Sequence, residues 1–380
     1  MSDTLKVLVV DDTALYRKLV SDLMNSLPGV EVVGSAPNGK IALDRVVTLC
    51  PDVITLDIEM PVMDGLDTLR NLKKMNVSPS VVMVSSHSKK GAAVTMDALH
   101  LGAFDFITKP EGMSANDSRS SLLDQLRPVV AALRARAGIS SKVGTNASRS
   151  PAAGAMAPER ELPLSRPSLG PRSQAVERLK NLSMNVPPDI VAIAISTGGP
   201  QALGNMIPRL PAKLRVPIVI AQHIPAGFSA ALADSLDRRS ALTVMEGKDG
   251  QVIEPGCVYI APGGKQMKVV PGTKRGSKIL KVNDDPPENH CKPSADYLMR
   301  SVAQLYGNRA LGVIMTGMGN DGVKGLKLMK RHGVTVIAQD QASSVVFGMP
   351  MEAIKAGLAD VVAPLDEIAN EIVDKVGKSV

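Results

Sequence analysis

Three polar residues in the second half of the chain each follow a run of apolar residues. The runs are 190–195, 216–221 and 311–316, and the residues that follow them are Ser196, His223 and Asp321. Short apolar runs of this kind are typical of buried parallel strands, whose carboxyl ends meet at one edge of a sheet. The three side chains are therefore expected to lie together. A hydroxyl, an imidazole and a carboxylate match the nucleophile, the general base and the orienting acid of a hydrolase.

Each of these residues also has an ordinary structural explanation. Ser196 opens the segment Ser196–Pro200, a strand-to-helix turn in which serine is a common helix cap, although such a turn also exposes a nucleophile next to helix amides. A single histidine such as His223 can be structural. The hydrolase hypothesis depends on the coincidence of all three residues.

A second set of polar residues ends the strands predicted in the first half. Asp11 and Asp12 end the first strand and Asp57 ends the third, so three carboxylates are expected to converge. Such a cluster repels itself unless a hard cation is present, and Mg²⁺ fits oxygen ligands. Ser85 and Lys109 end the fourth and fifth strands, where they could reach a phosphoryl group on Asp57.

The elements around both sets repeat as strand, turn and helix. Five such units in the first half, and the apolar runs of the second half, predict an α/β fold with two doubly wound parallel-sheet domains. Between them, the chain is rich in Ser, Ala, Gly, Pro and Arg, which is typical of a linker. Within it, only 173–182 has apolar residues at helical spacing, which predicts one short helix.

Composition excludes several classes of protein. Aromatic residues are 2% of the 380 residues and Trp is absent, which argues against stacking on single-stranded nucleic acid. Residues 131–188 carry nine basic and three acidic residues, so most of the +7 formal charge belongs to the linker and does not indicate nucleic-acid binding. Three cysteines without C-x-x-C spacing indicate neither disulfides nor a zinc site. With no recognisable signal peptide or membrane span, a cytoplasmic protein is expected.

Residues 5–125 resemble a response-regulator receiver domain, which implies a flavodoxin-like fold. The resemblance implies that Asp57 accepts phosphate from a histidine kinase and that Asp11 and Asp12 help to hold the Mg²⁺ that phosphorylation needs. It further implies a phosphorylation switch at Ser85, Phe106 and Lys109. The Lys109-Pro110 bond is expected to be cis, as in many members of that family.

The second half resembles the chemotaxis protein-glutamate methylesterase family, CheB, with a Rossmann-like catalytic domain. The motifs that carry the resemblance are Ser196–Pro200, Ala221–Phe228 and Thr316–Gly322. It implies that Ser196 attacks a glutamyl methyl ester, His223 transfers the proton, Asp321 orients His223, and the Met318 amide stabilises the oxyanion. Deamidation of glutamines is implied by the same chemistry. The chain departs from the family pattern at Ala194-Ile195, where Gly-Ala is usual.

Together these resemblances imply a receiver at 1–128, a basic linker at 129–187 and a methylesterase domain at 188–380. The unphosphorylated receiver is expected to cover the catalytic face. The implied partners are a chemotaxis-type histidine kinase and methyl-accepting chemoreceptors, with membrane contact only through the receptors and no nucleic acid. No cofactor is expected for ester hydrolysis.

Two other functions fit parts of the sequence. Gly317–Gly322 has the spacing G-x-G-x-x-G after a strand, and Asp340 follows at the distance of a ribose-binding acid, which would suit a dinucleotide-binding oxidoreductase. The carboxylate of Asp321 would then repel a pyrophosphate. Alternatively, the second half could be a non-catalytic signalling adaptor, but an adaptor does not need all three hydrolase residues.

Overall fold

Five apolar, β-branched runs of the first half form a parallel sheet in the order β2-β1-β3-β4-β5. The computed structural model describes residues 4–75, 77, 79–110, 112, 114–136 and 186–377. Helices cover both faces of the sheet, so the central strand β3 is buried along its whole length. The elements are β1 Leu5–Val10, α1 Ala14–Asn25, β2 Val30–Ala36, α2 Gly39–Leu49, β3 Val53–Asp57, α3 Gly65–Leu72, β4 Ser80–Ser85, α4 Lys89–His100, β5 Asp105–Thr108 and α5 Ala115–Arg136.

Helix α5 extends past residue 129, where the linker was predicted to begin. Its apolar residues Leu126, Val129, Val130 and Leu133 follow helical spacing and are buried in the first domain. This packing keeps the chain helical to Arg136 despite Pro128. The short helix predicted at 173–182 lies outside the described residues.

The second half forms a seven-stranded parallel sheet in the order β14-β13-β12-β6-β7-β9-β8, with a separate antiparallel hairpin, β10-β11. Strand β6 is fully buried between β12 and β7, and the strand order reverses there. Both sheets confirm the predicted α/β class with two doubly wound domains. The elements are β6 Ile190–Ile195, α6 Gly199–Met206, a 3₁₀ turn Ile207–Arg209, β7 Ile218–Gln222, α7 Phe228–Asp237, β8 Thr243–Glu246, β9 Cys257–Ile260, β10 Gln266–Pro271, β11 Lys278–Asn283, α8 Ala295–Tyr306, β12 Ala310–Ile314, α9 Val323–Arg331, β13 Thr335–Gln339, α10 Met349–Lys355, β14 Val361–Ala363 and α11 Leu365–Val376.

The two domains share one hydrophobic interface. Helix α4 of the first domain packs against α6 and α7 of the second. At the centre of the interface, the ring of Phe106 lies against that of Phe228, with 4.6 Å between ring centroids and an interplanar angle of 33°. Both side chains are buried, so the cores of the first and second domains are continuous at this point. Among the described helices, none is long and apolar enough to cross a membrane.

The Phe106–Phe228 contact predicts an energetic coupling between the domains. In a double-mutant cycle with alanine at both positions, the coupling should be about 0.5–1.5 kcal/mol, because stacked aromatic pairs contribute that much beyond buried area. The measurement is denaturant unfolding of the full chain followed by circular dichroism. Phe104 is the matched control, since it is buried in a different cluster from Phe228. Strict additivity for Phe106 and Phe228 would contradict the described interface.

Candidate active site and acidic pocket

Ser196 occupies a sharp turn between the buried strand β6 and helix α6. Its amide donates to Thr316 O at 3.0 Å, which ties the turn to the end of β12. Gly198 has φ +77°, and a Cβ added there would lie 2.5 Å from Val345 Cβ. Only glycine fits this combination of backbone angle and close packing. The turn therefore has a fixed shape and leaves Ser196 half-buried.

His223 follows strand β7, one strand along from Ser196. The His223 amide donates to Ile195 O at 3.0 Å, and the buried Gln222 side chain donates to Ser196 O at 3.0 Å. Gln222 thus holds the backbones of both neighbouring strand ends, a positioning role that the sequence analysis missed. The available signal was a polar residue at the end of an otherwise apolar strand.

Asp321 lies on the loop after β12 and contacts the imidazole directly. His223 Nε2 is 2.8 Å from Asp321 Oδ2. The buried carboxylate also accepts hydrogen bonds from four other groups: Asn289 Nδ2 (2.9 Å), Ser294 Oγ (2.9 Å), Ala295 N (2.6 Å) and Asp296 N (3.1 Å). The last two are amides at the start of α8, where the helix dipole favours an anion. Sequence reasoning found none of these four donors.

The His223–Asp321 pair shifts the pKa of both partners. Burial alone would raise the pKa of Asp321, but the imidazole and the surrounding donors outweigh it and hold that pKa below 3.8. Burial would likewise lower the pKa of His223, but the hydrogen bonds with Asp321 and Cys291 outweigh it and raise that pKa above 6.5. The carboxylate is therefore ionised at neutral pH and accepts from His223 Nε2, whereas His223 Nδ1 is 3.6 Å from Cys291 Sγ.

The glycine-rich loop after β12 approaches Ser196 closely. A Cβ added at Gly317 would lie 2.6 Å from Ser196 Cβ, so only glycine allows this contact. Met318 follows directly and is 41% exposed, so it lies at the open edge of the site. Within residues 186–377, Ser196 Oγ donates no hydrogen bond to His223, as is common for nucleophile and base before substrate binds.

The three carboxylates predicted in the first domain converge. One oxygen each from Asp11, Asp12 and Asp57 lies within 4.8 Å of the others. Lys109 Nζ is 2.8 Å from both Asp57 Oδ2 and Asp11 Oδ2, and so partly neutralises the cluster. Burial raises the pKa of Asp57 to about 6, although the Lys109 ammonium opposes that shift. Three hard oxygen donors fit a divalent cation such as Mg²⁺.

The other predicted switch residues, Ser85 and Phe106, are both buried but have different neighbours. Ser85 is buried, with its Oγ 2.8 Å from Thr95 Oγ1 of α4. Phe106 is buried against the catalytic domain. The expectation of a cis Lys109-Pro110 bond is wrong, since the cis bond found among the described residues is Lys292-Pro293.

The first domain also contacts the turn that carries Ser196. The Asp105 carboxylate, at the start of β5, accepts hydrogen bonds from Phe106 N at 2.9 Å and from the side chain of Thr197. Burial in this interface raises the pKa of Asp105 to about 6, in opposition to those two bonds. Thr197 is the residue after Ser196, so the receiver reaches the edge of the candidate active site. Sequence analysis missed Asp105 because its partner is in the other domain.

Comparisons with known proteins match both halves of this geometry. Residues 191–372 match the CheB methylesterase family model, and residues 7–117 match the response regulator receiver domain model. The fold and the two sites thus define a response regulator whose receiver is joined to a methylesterase-type domain, as the resemblances implied.

Full-length relatives extend this match to the whole chain. The protein-glutamate methylesterase/protein-glutamine glutaminase of Desulfotalea psychrophila is 46% identical, over 98% of this chain and 98% of its own. The Bacillus subtilis protein of the same name is 44% identical, over 98% and 99%. The Pyrococcus horikoshii protein is 39% identical, over 99% and 95%. The chain belongs to the protein-glutamate methylesterase/protein-glutamine glutaminase family.

The His223–Asp321 contact predicts an unusually basic histidine. In an NMR titration of the histidine ring signals, His223 should titrate above 6.5, and Asp321→Asn should lower its pKa by about 1–3 units, because the neutral amide no longer stabilises the imidazolium. His223→Gln assigns the signal. A His223 pKa that is indifferent to Asp321→Asn would show that the pair does not form in solution.

Proposed function

We propose that this chain is a phosphorylation-controlled hydrolase that cleaves glutamyl methyl esters, and deamidates glutamines, on the cytoplasmic domains of chemoreceptors. The observation that carries the proposal is the His223–Asp321 contact of 2.8 Å at the sheet edge that also carries Ser196. The glutamyl ester and glutamine substrates follow from the names of relatives up to 46% identical over 98% of the chain, and the chemoreceptors follow from the family resemblance. The reaction needs no cofactor in this proposal.

In the proposed reaction, Ser196 is the nucleophile and His223 the general base. Ser196 Oγ attacks the ester carbonyl carbon while its proton passes to His223 Nδ1, the ring nitrogen not bonded to Asp321. The Met318 amide stabilises the oxyanion. The intermediate collapses, the imidazolium returns the proton to the departing oxygen, and methanol leaves.

Water completes the cycle at the same groups. Water gives a proton to His223 and attacks the acyl-enzyme carbonyl, after which Ser196 regains its proton and glutamate is released. An amide substrate follows the same steps with ammonia as the leaving group. Throughout, Asp321 keeps the ring oriented and stabilises its positive charge.

In the receiver, we assign phosphorylation to Asp57 and Mg²⁺ binding to Asp11, Asp12 and Asp57. The cation would neutralise phosphate charge during transfer from a chemotaxis-type histidine kinase. Lys109 already pairs with the Asp57 carboxylate and would contact the phosphoryl oxygens. Phosphate adds about −1.5 to −2 charges, which favours movement of the Ser85 hydroxyl toward it.

We assign inhibition to the docked receiver. Its β5 strand places Asp105 against Thr197 and Phe106 against Phe228, next to Ser196 and the segment after His223. A receptor helix needs the same edge of the sheet. Rearrangement of Ser85 and Phe106 upon phosphorylation would weaken these contacts and open the site.

The dinucleotide-binding alternative fits the geometry poorly. The Asp321 carboxylate inside the G-x-G-x-x-G segment is buried and bonded to His223, so an anion already lies where the segment would have to approach a pyrophosphate. The adaptor alternative does not explain a buried carboxylate held by five donors beside a histidine.

Substitution of the three proposed residues tests the mechanism. Ser196→Ala and His223→Ala should each reduce methanol release from methylated receptor membranes by about 10³-fold or more, because nucleophile and base act as a unit. Asp321→Ala should reduce the rate of methanol release by a smaller factor. His332→Ala and Asp284→Ala, which remove the same residue types at exposed positions, are the controls. Both should release methanol at the wild-type rate. Substantial methanol release by Ser196→Ala would exclude it as the nucleophile and favour an adaptor.

Substitution at the docked interface tests the control mechanism. His100 on α4 lies 3.4 Å from Ser235 Oγ, and the positive charge of Arg239 helps to lower its pKa, after the larger effect of burial. His100→Lys places a fixed cation there, so it should loosen docking and raise the unphosphorylated rate. His332→Lys is the matched exposed control.

The same assay with acetyl phosphate and Mg²⁺ should activate the wild type but not Asp57→Asn. A tenfold activation requires only about 1.4 kcal/mol of differential stability between the closed and open arrangements.

Small-angle scattering measures whether the receiver of the His100→Lys variant is still docked. If the scattering shows weaker docking but the unphosphorylated rate is unchanged, inhibition by occlusion is wrong.

A further inference from the structure

The proposed mechanism leaves one reactive group at the active site without a role. Cys291 Sγ lies 3.6 Å from His223 Nδ1, whereas Asp321 contacts the other ring nitrogen, Nε2. Nδ1 is the nitrogen from which the general base acts. A soft thiol and an imidazole nitrogen, facing each other, are the donor types that Zn²⁺ prefers.

A tight turn fixes the position of the thiol. Glu288 and Cys291 exchange backbone hydrogen bonds of 3.2 and 2.8 Å across the two-residue turn Asn289-His290, whose φ angles are +50° and +63°. Arg300 anchors the turn through two hydrogen bonds to the Glu288 carboxylate, at 2.7 and 2.5 Å. The sulfur is thus held in place beside the ring.

The spacing of the two donor atoms fits one metal ion. Zn–N bonds of about 2.0–2.1 Å and Zn–S bonds of about 2.3 Å, at a tetrahedral angle, separate nitrogen and sulfur by about 3.5–3.6 Å. The observed separation is 3.6 Å, which matches the spacing of two ligands of one Zn²⁺.

Asp321 contacts the ring nitrogen that the proposed metal would not use. Histidines that bind metals usually donate their other N–H to a carboxylate, which fixes the tautomer and increases the basicity of the ligating nitrogen. His223 Nε2 meets Asp321 in this way, and the carboxylate, sulfur and ring nitrogen fall within 4.8 Å of one another. The contacts that prepare His223 as a base therefore also prepare it as a ligand.

We propose that Cys291 Sγ and His223 Nδ1 form an inhibitory Zn²⁺ site in the active centre, with water as the remaining ligands. Binding releases the thiol proton to solvent and occupies the lone pair that would accept the Ser196 proton, so hydrolysis stops. Two protein ligands, fewer than the four of structural zinc sites, make the binding reversible by a chelator. The inhibitory consequence rests on the proposed function, whereas the metal site itself does not.

The first test measures hydrolysis by the full chain against free Zn²⁺, with a phosphine reductant present so that thiol oxidation does not contribute. Each variant is normalised to its own metal-free rate. Wild type should lose at least about tenfold in rate and recover on addition of a chelator, and Cys291→Ser should need at least about tenfold more Zn²⁺ for the same loss. Cys257→Ser and Cys50→Ser are the matched controls and should behave as wild type.

The second test measures the site without using activity. Co²⁺ replaces Zn²⁺ as a probe, and thiolate coordination gives a charge-transfer absorption in the near ultraviolet. The band should appear in wild type, in Cys257→Ser and in the inactive Ser196→Ala, and should be absent from Cys291→Ser and much weakened in His223→Gln. Because Ser196→Ala is included, the metal site is tested even if Ser196 proves not to be the nucleophile.

Two outcomes would overturn the proposal. One is a Co²⁺ band that survives Cys291→Ser but disappears in Cys257→Ser or Cys50→Ser, which would locate the metal at another thiol. The other is equal inhibition of wild type and Cys291→Ser by Zn²⁺, which would locate inhibition elsewhere.

Discussion

The candidate active site depends on one buried carboxylate, that of Asp321. Its two oxygens accept hydrogen bonds from His223, from the side chains of Asn289 and Ser294, and from two amides at the start of α8. A carboxylate buried this deeply is stable as an anion only when such donors surround it. The donors come from the loop after β11 and from α8, so these segments, although remote from Ser196 in sequence, set the orientation of the imidazole.

The topology explains why these groups meet. Strand β6 lies where the strand order reverses, with β7 on one side and β12 on the other. Ser196, His223 and the loop that carries Asp321 therefore leave three adjacent strands at one edge. Backbone hydrogen bonds between neighbouring strand ends fix their register. The Gln222 side chain adds a hydrogen bond to Ser196 O. The same edge faces the receiver, which makes it accessible to control.

Sequence reasoning located Ser196, His223 and Asp321 because parallel strands impose a rule that needs no tertiary information: residues after the strands share an edge. The same rule located Asp11, Asp57 and Lys109. No such rule applies to groups outside the strand ends. Cys291 reaches His223 through a turn far along the chain, and neither its spacing from other cysteines nor its neighbours indicated that contact. Similarly, Asp105 looked like an ordinary polar residue before β5, because its partner Thr197 belongs to the other domain. Helix α5 runs past the predicted boundary at residue 128 because Val129 and Leu133 are buried in the first domain.

Strand β5 connects the two sites physically. Lys109, just beyond its end, pairs with Asp57, whereas Asp105 and Phe106, at its beginning, contact the catalytic domain. The strand has only four residues, so its ends are separated by about 10 Å, a distance over which a buried strand moves as a unit. A change at the phosphate pocket therefore does not need a long pathway to reach Thr197. Such a change needs only to alter the packing of β5 and α4 against the second domain. Ser85 contacts Thr95 of α4 and lies where the phosphate charge would act. The short distance makes the interface contacts, rather than the catalytic residues, the place where control of the rate is expected.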